Sequence, residues 1–536
     1  MIEFYDTTLR DGTQGEGINL TVQDKLRITQ LLDDFGVHLI EGGWPGSNPK
    51  DVEYFERVRS LKLSHARIAA FGSTCRPSLQ PGDDPNLQTL LAAETPVATI
   101  FGKAWIRHVT HVLRTDRDNN LRLVEQSVAF LKGAGRRVIF DAEHFFDGFF
   151  ADPDYALAVL RAAANGGADT FVLCDTNGGM MPWQVREAVG RVRQELTVPL
   201  GIHTHNDGGC AVANSMVALH AGCMHVQGTI NGIGERCGNA NLCSIMANVE
   251  IKADQSSLPA GRLARLTELA RHVAEIANYA LPAGAPYVGR SAFVHKAGVH
   301  VSAIQRDEGA YEHCSPACVG NQTRVLVSEL SGRGNLERKA GDFGLGDGTG
   351  GDHRELLTRI KELENQGFAF EAAEASVELM MRRERPDYRP FFELMDFLVV
   401  VEHREGRGHL AEANVKIRVG DHEHHTAAGG VGPVGALDLA LRKALGDAYP
   451  QIEGFRLVDY KVRILDSSQA TKATTRVMID TSDGVQTWST VGASRNIIEA
   501  SWQALYDSFE YGLIRAGLHG PDDAAYSCET RVSPAR

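Results

Sequence analysis

Arg137-Val138-Ile139-Phe140-Asp141-Ala142-Glu143 is a β-rich run that ends in an acid, Tyr155–Asn165 then has helical periodicity, and Thr170-Phe171-Val172-Leu173-Cys174-Asp175-Thr176 is β-rich again. The same unit recurs upstream at Ile2–Leu9, His38–Glu41, Arg67–Ser73 and Val97–Gly102, and downstream at Pro199–His205 and His225–Asn231. Helical stretches such as Leu20–Phe35 lie between the runs. Eight strand–helix alternations predict a closed (β/α)8 barrel, a TIM barrel of α/β class. In such a barrel every strand points the same way, so the C-terminal strand ends share one face. Arg10, Asp11, Glu41, Glu143, Thr176, His203 and His205 are therefore expected around one mouth.

The chain has 536 residues, more than one core holds, since single domains stop growing near ~250–300 residues. A formal charge of −13 without a Lys/Arg cluster argues against nucleic acid or an anionic membrane and for a small metabolite as partner. No run of ~18 apolar residues is present, and Met1 leads directly into the first strand, so a cytoplasmic protein is expected. The nine cysteines contain no CxxC pair; Cys314 and Cys318 are the nearest two, nothing beside them completes a zinc site, and reduced thiols follow.

The expected division is a catalytic barrel over 1–282, a mostly helical linker region over 283–385, a C-terminal α+β domain over 386–516 and a flexible tail over 517–536. Leu281–Pro286 and Arg385–Pro390 are the breaks. The linker holds a glycine-rich loop, Gly341–Gly351, and an amphipathic stretch, His353–Arg383. In the C-terminal domain Val431-Gly432 lines up with Val491-Gly492, Leu437 with Ile497, Ala440 with Ala500 and Ala444-Leu445 with Ala504-Leu505, all 60 residues apart. This is a duplicated β-β-helix unit. It is either a packing or dimerisation module, or a pair of effector sites in which the turns at Gly430, Gly432 and Gly492 offer backbone N–H groups and a helix N-terminus to a carboxylate.

His203 and His205, two apart on one strand, face the same side and can share an ion, with Asp11 as an anionic third ligand. Nitrogen with carboxylate oxygen suits Zn, Mn, Co or Fe, and Mg where substrate oxygens complete the shell. Arg10 never loses its proton and can hold a carboxylate or a developing alkoxide, or it forms a structural ion pair with Glu41 or Asp6. Glu143, followed by His144 and Asp147, is a base or a solvated loop acid; Thr176 offers a hydroxyl to a carboxylate. Gly232-Ile233-Gly234-Glu235-Arg236-Cys237-Gly238-Asn239 is a phosphate cradle or a tight turn.

Tyr5-Asp6-Thr7-Thr8-Leu9-Arg10-Asp11-Gly12, Glu41-Gly42-Gly43-Trp44-Pro45-Gly46-Ser47-Asn48-Pro49, His203-Thr204-His205-Asn206-Asp207 and Gly234–Asn239 together resemble the signatures of the DRE-type TIM-barrel metalloenzymes, specifically the 2-isopropylmalate, homocitrate and citramalate synthases. The resemblance spans nearly the whole chain, and Glu41–Asp51 and Phe140–Gly148 look most like the long citramalate-forming branch. It implies an acyltransferase that condenses acetyl-CoA with an α-keto acid, pyruvate in that branch, and hydrolyses the thioester in isoleucine biosynthesis. It implies a divalent metal, with Mn, Mg, Zn and Co left open, on Asp11, His203, His205 and Asn239, an alkoxide stabilised by Arg10, and Glu41 holding that guanidinium. It also implies Thr176 on the keto-acid carboxylate and Glu143 as base, working with His300 of the Phe293–His300 segment. Tyr311 matches a tyrosine near the thioester. That segment reaches the neighbouring subunit in the family, which implies a homodimer, and the tail domain implies an amino-acid effector, isoleucine in this branch. By spacing alone His300 is equally an ordinary surface or core histidine.

Alternatives are a 2-isopropylmalate synthase acting on 2-ketoisovalerate, an acyl-CoA lyase resembling 3-hydroxy-3-methylglutaryl-CoA lyase, and a non-enzymatic amino-acid sensor. Two departures stand out. Thr13 follows Arg10-Asp11-Gly12 where many isopropylmalate synthases have Glu, and Asp141 is polar where a keto-acid pocket wants an apolar wall.

Overall fold

The computed structural model describes residues 1–253, 255–345, 353–405, 408–465 and 472–521. Most of the glycine-rich loop at 346–352, and the tail from 522 onward, lie outside the described residues. The chain forms two compact units, one of Met1–Phe293 with Glu312–Thr323, the other of Val294–Tyr311 with the chain from Arg324 onward.

The first unit is a closed barrel of eight parallel strands in sequential order: β1 Glu3–Asp6, β2 Leu39–Gly43, β3 Arg67–Ser73, β4 Val97–Lys103, β5 Arg137–Glu143, β6 Thr170–Asp175, β7 Leu200–Thr204 and β8 His225–Gly228. Glu3 opposite His225 and Asp6 opposite Gly228 close the ring. Helix boundaries follow local chemistry. Thr21 and Asp24 cap the helix Val22–Phe35 reciprocally, and Gly36 ends it at φ 99°. Proline opens the helices Pro49–Val58, Pro85–Ala92, Pro153–Asn165 and Pro182–Glu195, where its missing N–H costs nothing.

Strand side chains alternate, and inside the barrel they stack in layers. At the N-terminal end Arg137 forms a two-pronged pair with Glu3, at 2.6 Å on each oxygen, and His225 Nδ1 lies 2.8 Å from the same carboxylate. Above them Tyr5, Leu39, Ala69, Val97, Ile139 and Val172 make an apolar plug. Two residues further along the strands the inward positions become Glu41, Phe71, Thr99, Asp141 and Cys174, with His203 and Gln227 beside them on β7 and β8. The polar layer therefore rests on a dry, filled floor. The outer faces of the strands pack on the helices through residues such as Phe4, Ile40, Phe140 and Phe171, all fully buried.

The second unit begins with helices Gly298–Ile304, Arg333–Asp342, His353–Asn365 and Glu374–Arg383. Two antiparallel three-stranded sheets follow, each closed by a helix: Glu393–Arg404, Gly408–Val419 and His422–Gly430 with Pro433–Leu445, then Arg456–Ile464, Thr475–Ser482 and Thr487–Ser494 with Ile497–Arg515. Each repeat thus carries one strand ahead of the two read from the sequence. Those leading strands expose Leu398, Val400, Val401, Val458, Val462 and Ile464, so their alternation does not register as one buried and one wet face. Among the described residues no helix is long and apolar enough to cross a membrane.

Candidate active site

The mouth at the C-terminal end of the barrel is assembled from strand ends. The turn after β1 is shaped by Asp6, whose carboxylate accepts from the Thr8 N–H at 3.0 Å and the Thr8 hydroxyl at 2.7 Å, while Thr8 Oγ1 accepts from Ile230 N–H. Burial pushes Asp6 up to about 7. This bracing sends Arg10 and Asp11 over the strand ends. Arg10 Nε lies 2.5 Å from Glu41 Oε1, its guanidinium carbon sits 3.8 Å above the Phe71 ring, and Nη1 is 3.5 Å from Asp11 Oδ1. Glu41 is fully buried and its other oxygen accepts from Tyr5 O–H at 2.6 Å. Burial works against the Arg10 charge, but Glu41 and Asp11 reverse the effect and raise its pKa.

Asp11, His203 and His205 form one buried cluster whose ligand atoms all lie within 4.8 Å of one another. His203 Nε2 is 3.3 Å from His205 Nε2 and 3.3 Å from Asp11 Oδ2, and His205 Nε2 is 3.8 Å from Asp11 Oδ2. A point equidistant from these three atoms lies about 2.0 Å from each, the bond length of a first-row cation to nitrogen or carboxylate oxygen. His203 is fixed for this task, because its Nδ1 faces Gln227 Oε1 at 2.9 Å and must carry the proton, which leaves the Nε2 lone pair inward. Asn239 pairs with His205 through an isolated antiparallel bridge, and its Oδ1 is buried without a hydrogen-bond partner in the structure. A buried orphan carbonyl beside three converging ligand atoms fits a divalent cation.

The titration of Asp11 and His205 agrees. Burial alone would raise Asp11, yet Arg10, His203 and His205 hold it well below the usual carboxylate range. Burial and then the neighbouring His203 push His205 down to about 4. For His203 burial acts downward, and the bond to Asp11 overturns it and raises the pKa. An anionic oxygen beside a neutral imidazole is the protonation state a metal requires.

Glu143, the last residue of β5, forms an ion pair with Lys103, its register partner at the end of β4. Thr176 Oγ1 accepts from His144 N–H at 2.9 Å, so its own proton is left to donate. His144 stands at φ 54° with Nδ1 3.1 Å from Asp147. In the Gly232–Asn239 loop, a Cβ on Gly238 (φ 87°) would lie 2.1 Å from Gly232 O, and one on Gly234 would lie 2.2 Å from Asn239 Nδ2. The glycines make a tight turn that seats Asn239. Arg236 ties the loop to Asp207 at 2.8 Å and to Thr176 O at 2.8 Å.

Asp141 faces inward between Glu41 and the ligand cluster, accepts from Gln227 Nε2 at 3.1 Å, and is pushed up to about 7 by burial and then by Glu41. It is a buried member of the polar layer under the mouth. Sequence reading missed Lys103, Gln227, Tyr5 and Phe71. Lys103 and Gln227 sit at the ends of β-rich runs beside Glu143 and His203, a signal that strand-end position alone supplies.

His300 and Tyr311 belong to the second unit, where their rings stack at 4.2 Å between centroids. Gly430 and Gly492 are packing glycines: a Cβ would lie 2.5 Å from Ala436 N and 2.1 Å from Ala500 O respectively, whereas Gly432 has open space around its Cα.

Residues 1–273 match the HMGL-like family, 287–367 the homocitrate synthase post-HMGL domain-like family, and 371–513 the LeuA allosteric (dimerisation) domain. The chain belongs to the HMGL-like family, and within it to the (R)-citramalate synthases. The (R)-citramalate synthase of Geobacter sulfurreducens is 52% identical over 96% of this chain and 98% of its own length, and that of Aquifex aeolicus is 49% identical over the same shares. A probable 2-isopropylmalate synthase of Methanopyrus kandleri is 30% identical over 94% of this chain and 96% of its own.

Proposed function

We propose that the barrel joins the methyl carbon of acetyl-CoA to the keto carbon of pyruvate and hydrolyses the thioester with one water, releasing (R)-citramalate and CoA on the way to isoleucine. The observation that carries this reading is the ligand cluster of Asp11, His203 and His205 lying one residue from a guanidinium clamped by a buried carboxylate. Identity of 44–52% to five (R)-citramalate synthases over 95–96% of the chain, against 30% to the isopropylmalate enzyme, supports pyruvate as the keto acid.

Asp11, His203, His205 and Asn239 would hold a divalent cation, which when bound would supply Lewis acidity at the keto carbonyl. Arg10 donates to the oxygen that gains charge as the carbon–carbon bond forms; Glu41, Tyr5 and the Phe71 face hold it in place before substrate arrives, so little reorganisation is needed. Thr176 O–H donates to the pyruvate carboxylate. Glu143 takes the proton from the acetyl methyl group, and Lys103 holds that carboxylate at the rim of the mouth. His300 of the neighbouring subunit works with Glu143 as base, and Tyr311 lies near the thioester, in a homodimer. The match to a dimerisation domain and the apolar strand faces at Leu398, Val400, Val458 and Val462 support that assembly. The C-terminal repeats take an amino-acid effector, isoleucine, at the open turn of Gly432, while Gly430 and Gly492 seat the helices against their strands. All eight described cysteines are free, in keeping with a cytoplasmic enzyme. We assign residues 1–282 to catalysis, 283–385 to the linker and 386–516 to regulation.

Release of CoA measured with pyruvate and with 2-ketoisovalerate tests the substrate. Faster turnover on 2-ketoisovalerate overturns the assignment.

A further inference from the structure

Condensation followed by hydrolysis needs two proton removals in one turnover, one from the acetyl methyl group and one from the water that cleaves the thioester. Glu143 takes the first, so it is protonated when the second falls due. The next residue carries another base. His144 stands at φ 54°, a left-handed backbone that residues other than glycine adopt rarely, and although it precedes the helix Phe145–Ala151 its side chain makes no capping bond. Helix capping therefore does not account for a histidine at this position.

The imidazole is held from three strand ends. From the segment after β4, the His108 ring packs against it at 4.2 Å and the Trp105 ring at 5.7 Å between centroids. From its own loop, Asp147 Oδ2 faces Nδ1 at 3.1 Å. From the segment after β6, Asn177 Nδ2 donates to that same carboxylate oxygen at 3.1 Å, and Thr176 Oγ1 accepts from His144 N–H at 2.9 Å. Burial would raise Asp147, but the bonds from His144 and Asn177 hold its carboxyl below the usual range. A carboxylate only accepts, so Nδ1 carries the ring proton and Nε2 the lone pair. Nε2 makes no hydrogen bond among the described residues, and the side chain keeps 9% of its surface open. Burial and then His144 keep His108 below the usual histidine range, so the ring packed against the base is neutral at pH 7. An oriented imidazole with an unused lone pair, one residue from Glu143 and bonded to Thr176, is equipped to take a proton at this mouth.

We propose that His144 is the general base for thioester hydrolysis, with Asp147 as its positioning residue. As the water oxygen bonds to the thioester carbonyl carbon, its proton passes to His144 Nε2. The carbon–sulfur bond then breaks, the sulfur leaves with the bonding pair, and the imidazolium returns the proton to it, so that one water and one thioester become a carboxylic acid and a thiol. This rests on the reading of the barrel as a condensing enzyme and assigns the group that serves the second half of its reaction.

The test is a single-turnover reaction of the Mn²⁺-loaded full-length protein with acetyl-CoA and pyruvate, quenched in acid and read by mass spectrometry as the ratio of citramalyl-CoA to citramalate. His144→Gln removes the base, and His144→Gly also leaves a space for added imidazole while accepting the left-handed backbone without strain. Thermal unfolding shows which variants are folded. In both, the ratio is expected to rise at least about tenfold, and imidazole is expected to restore hydrolysis to His144→Gly alone. Asp147→Asn should raise the ratio about threefold or more; an unchanged ratio there overturns the positioning role. A ratio within about twofold of the parent in a folded His144 variant, or no rescue of His144→Gly by imidazole, overturns the base. A folded His144 variant that forms neither product places the residue in condensation and overturns it equally. Should His144→Gly not fold, the ratio in His144→Gln decides alone. A parent that forms neither product removes the condensing reaction itself, and this inference with it.

Discussion

Gln227 is the residue whose replacement most sharply probes the ligand cluster. It is fully buried, it accepts the His203 Nδ1 proton at 2.9 Å, and its amide donates to Asp141 at 3.1 Å. In Gln227→Leu the imidazole loses the contact that fixes its tautomer and ring orientation. Losses of this kind weaken metal binding ~10–100-fold, about 1.4–2.7 kcal/mol. The Asp141 carboxyl, poised near 7, also loses its donor, which costs about 1–3 kcal/mol of stability. Gln227→Glu separates the two effects, since it keeps an acceptor for Nδ1–H but has no amide for Asp141. The assay is titration of apo protein with Mn²⁺, following free Mn²⁺ by electron paramagnetic resonance, with thermal unfolding as a control. Gln227→Leu should bind ~10–100-fold more weakly and Gln227→Glu within a few-fold of the parent. Binding by Gln227→Leu within twofold of the parent refutes the idea that the amide orients His203.

Other perturbations address the remaining roles. His203→Ala should lose Mn²⁺ binding and turnover together, whereas Glu143→Gln should keep Mn²⁺ and lose turnover; retained turnover in either variant removes that residue from its role. Arg10→Lys keeps the charge but gives up the Nε contact with Glu41 and the stack on Phe71, so kcat should fall about 10²–10³-fold with Mn²⁺ affinity retained, as judged by CoA release. Glu3 answers to pH: burial would raise its carboxyl, but the bonds to His225 and Arg137 hold it well below the usual carboxylate range. A depressed carboxylate stabilises the fold above its unfolded pKa and loses that contribution as pH falls toward the folded one. Glu3→Gln should therefore lower Tm at pH 7, and the gap should narrow progressively below about pH 4.5; a gap that is constant with pH refutes the linkage.

Much of this protein is legible along the chain because two periodicities are local properties. Alternation of two marks the strands, helical spacing marks what joins them, and a parallel barrel then gathers the residues at strand ends. Asp11, Glu143, Thr176, His203 and His205 could be named from that rule, and the 60-residue spacing exposed the repeat. The partners of those residues could not. Lys103 meets Glu143 and Gln227 meets His203 through the register between neighbouring strands, where a slip of one residue sends every side chain to the other face, and Gln227 reaches Asp141 of the non-adjacent β5 only once the barrel closes. Asp141 illustrates the same limit: a lone acid in the sequence becomes, in the closed barrel, a carboxyl pushed up to about 7 between Glu41 and an amide. The glycines of the repeats were visible by position, but whether they cradle a ligand or admit a helix backbone depends on a separation of a few ångströms that only packing sets. Which groups lie in the barrel wall was written in the one-dimensional order; which of them touch, and so which carry charge, followed from closing that wall upon itself.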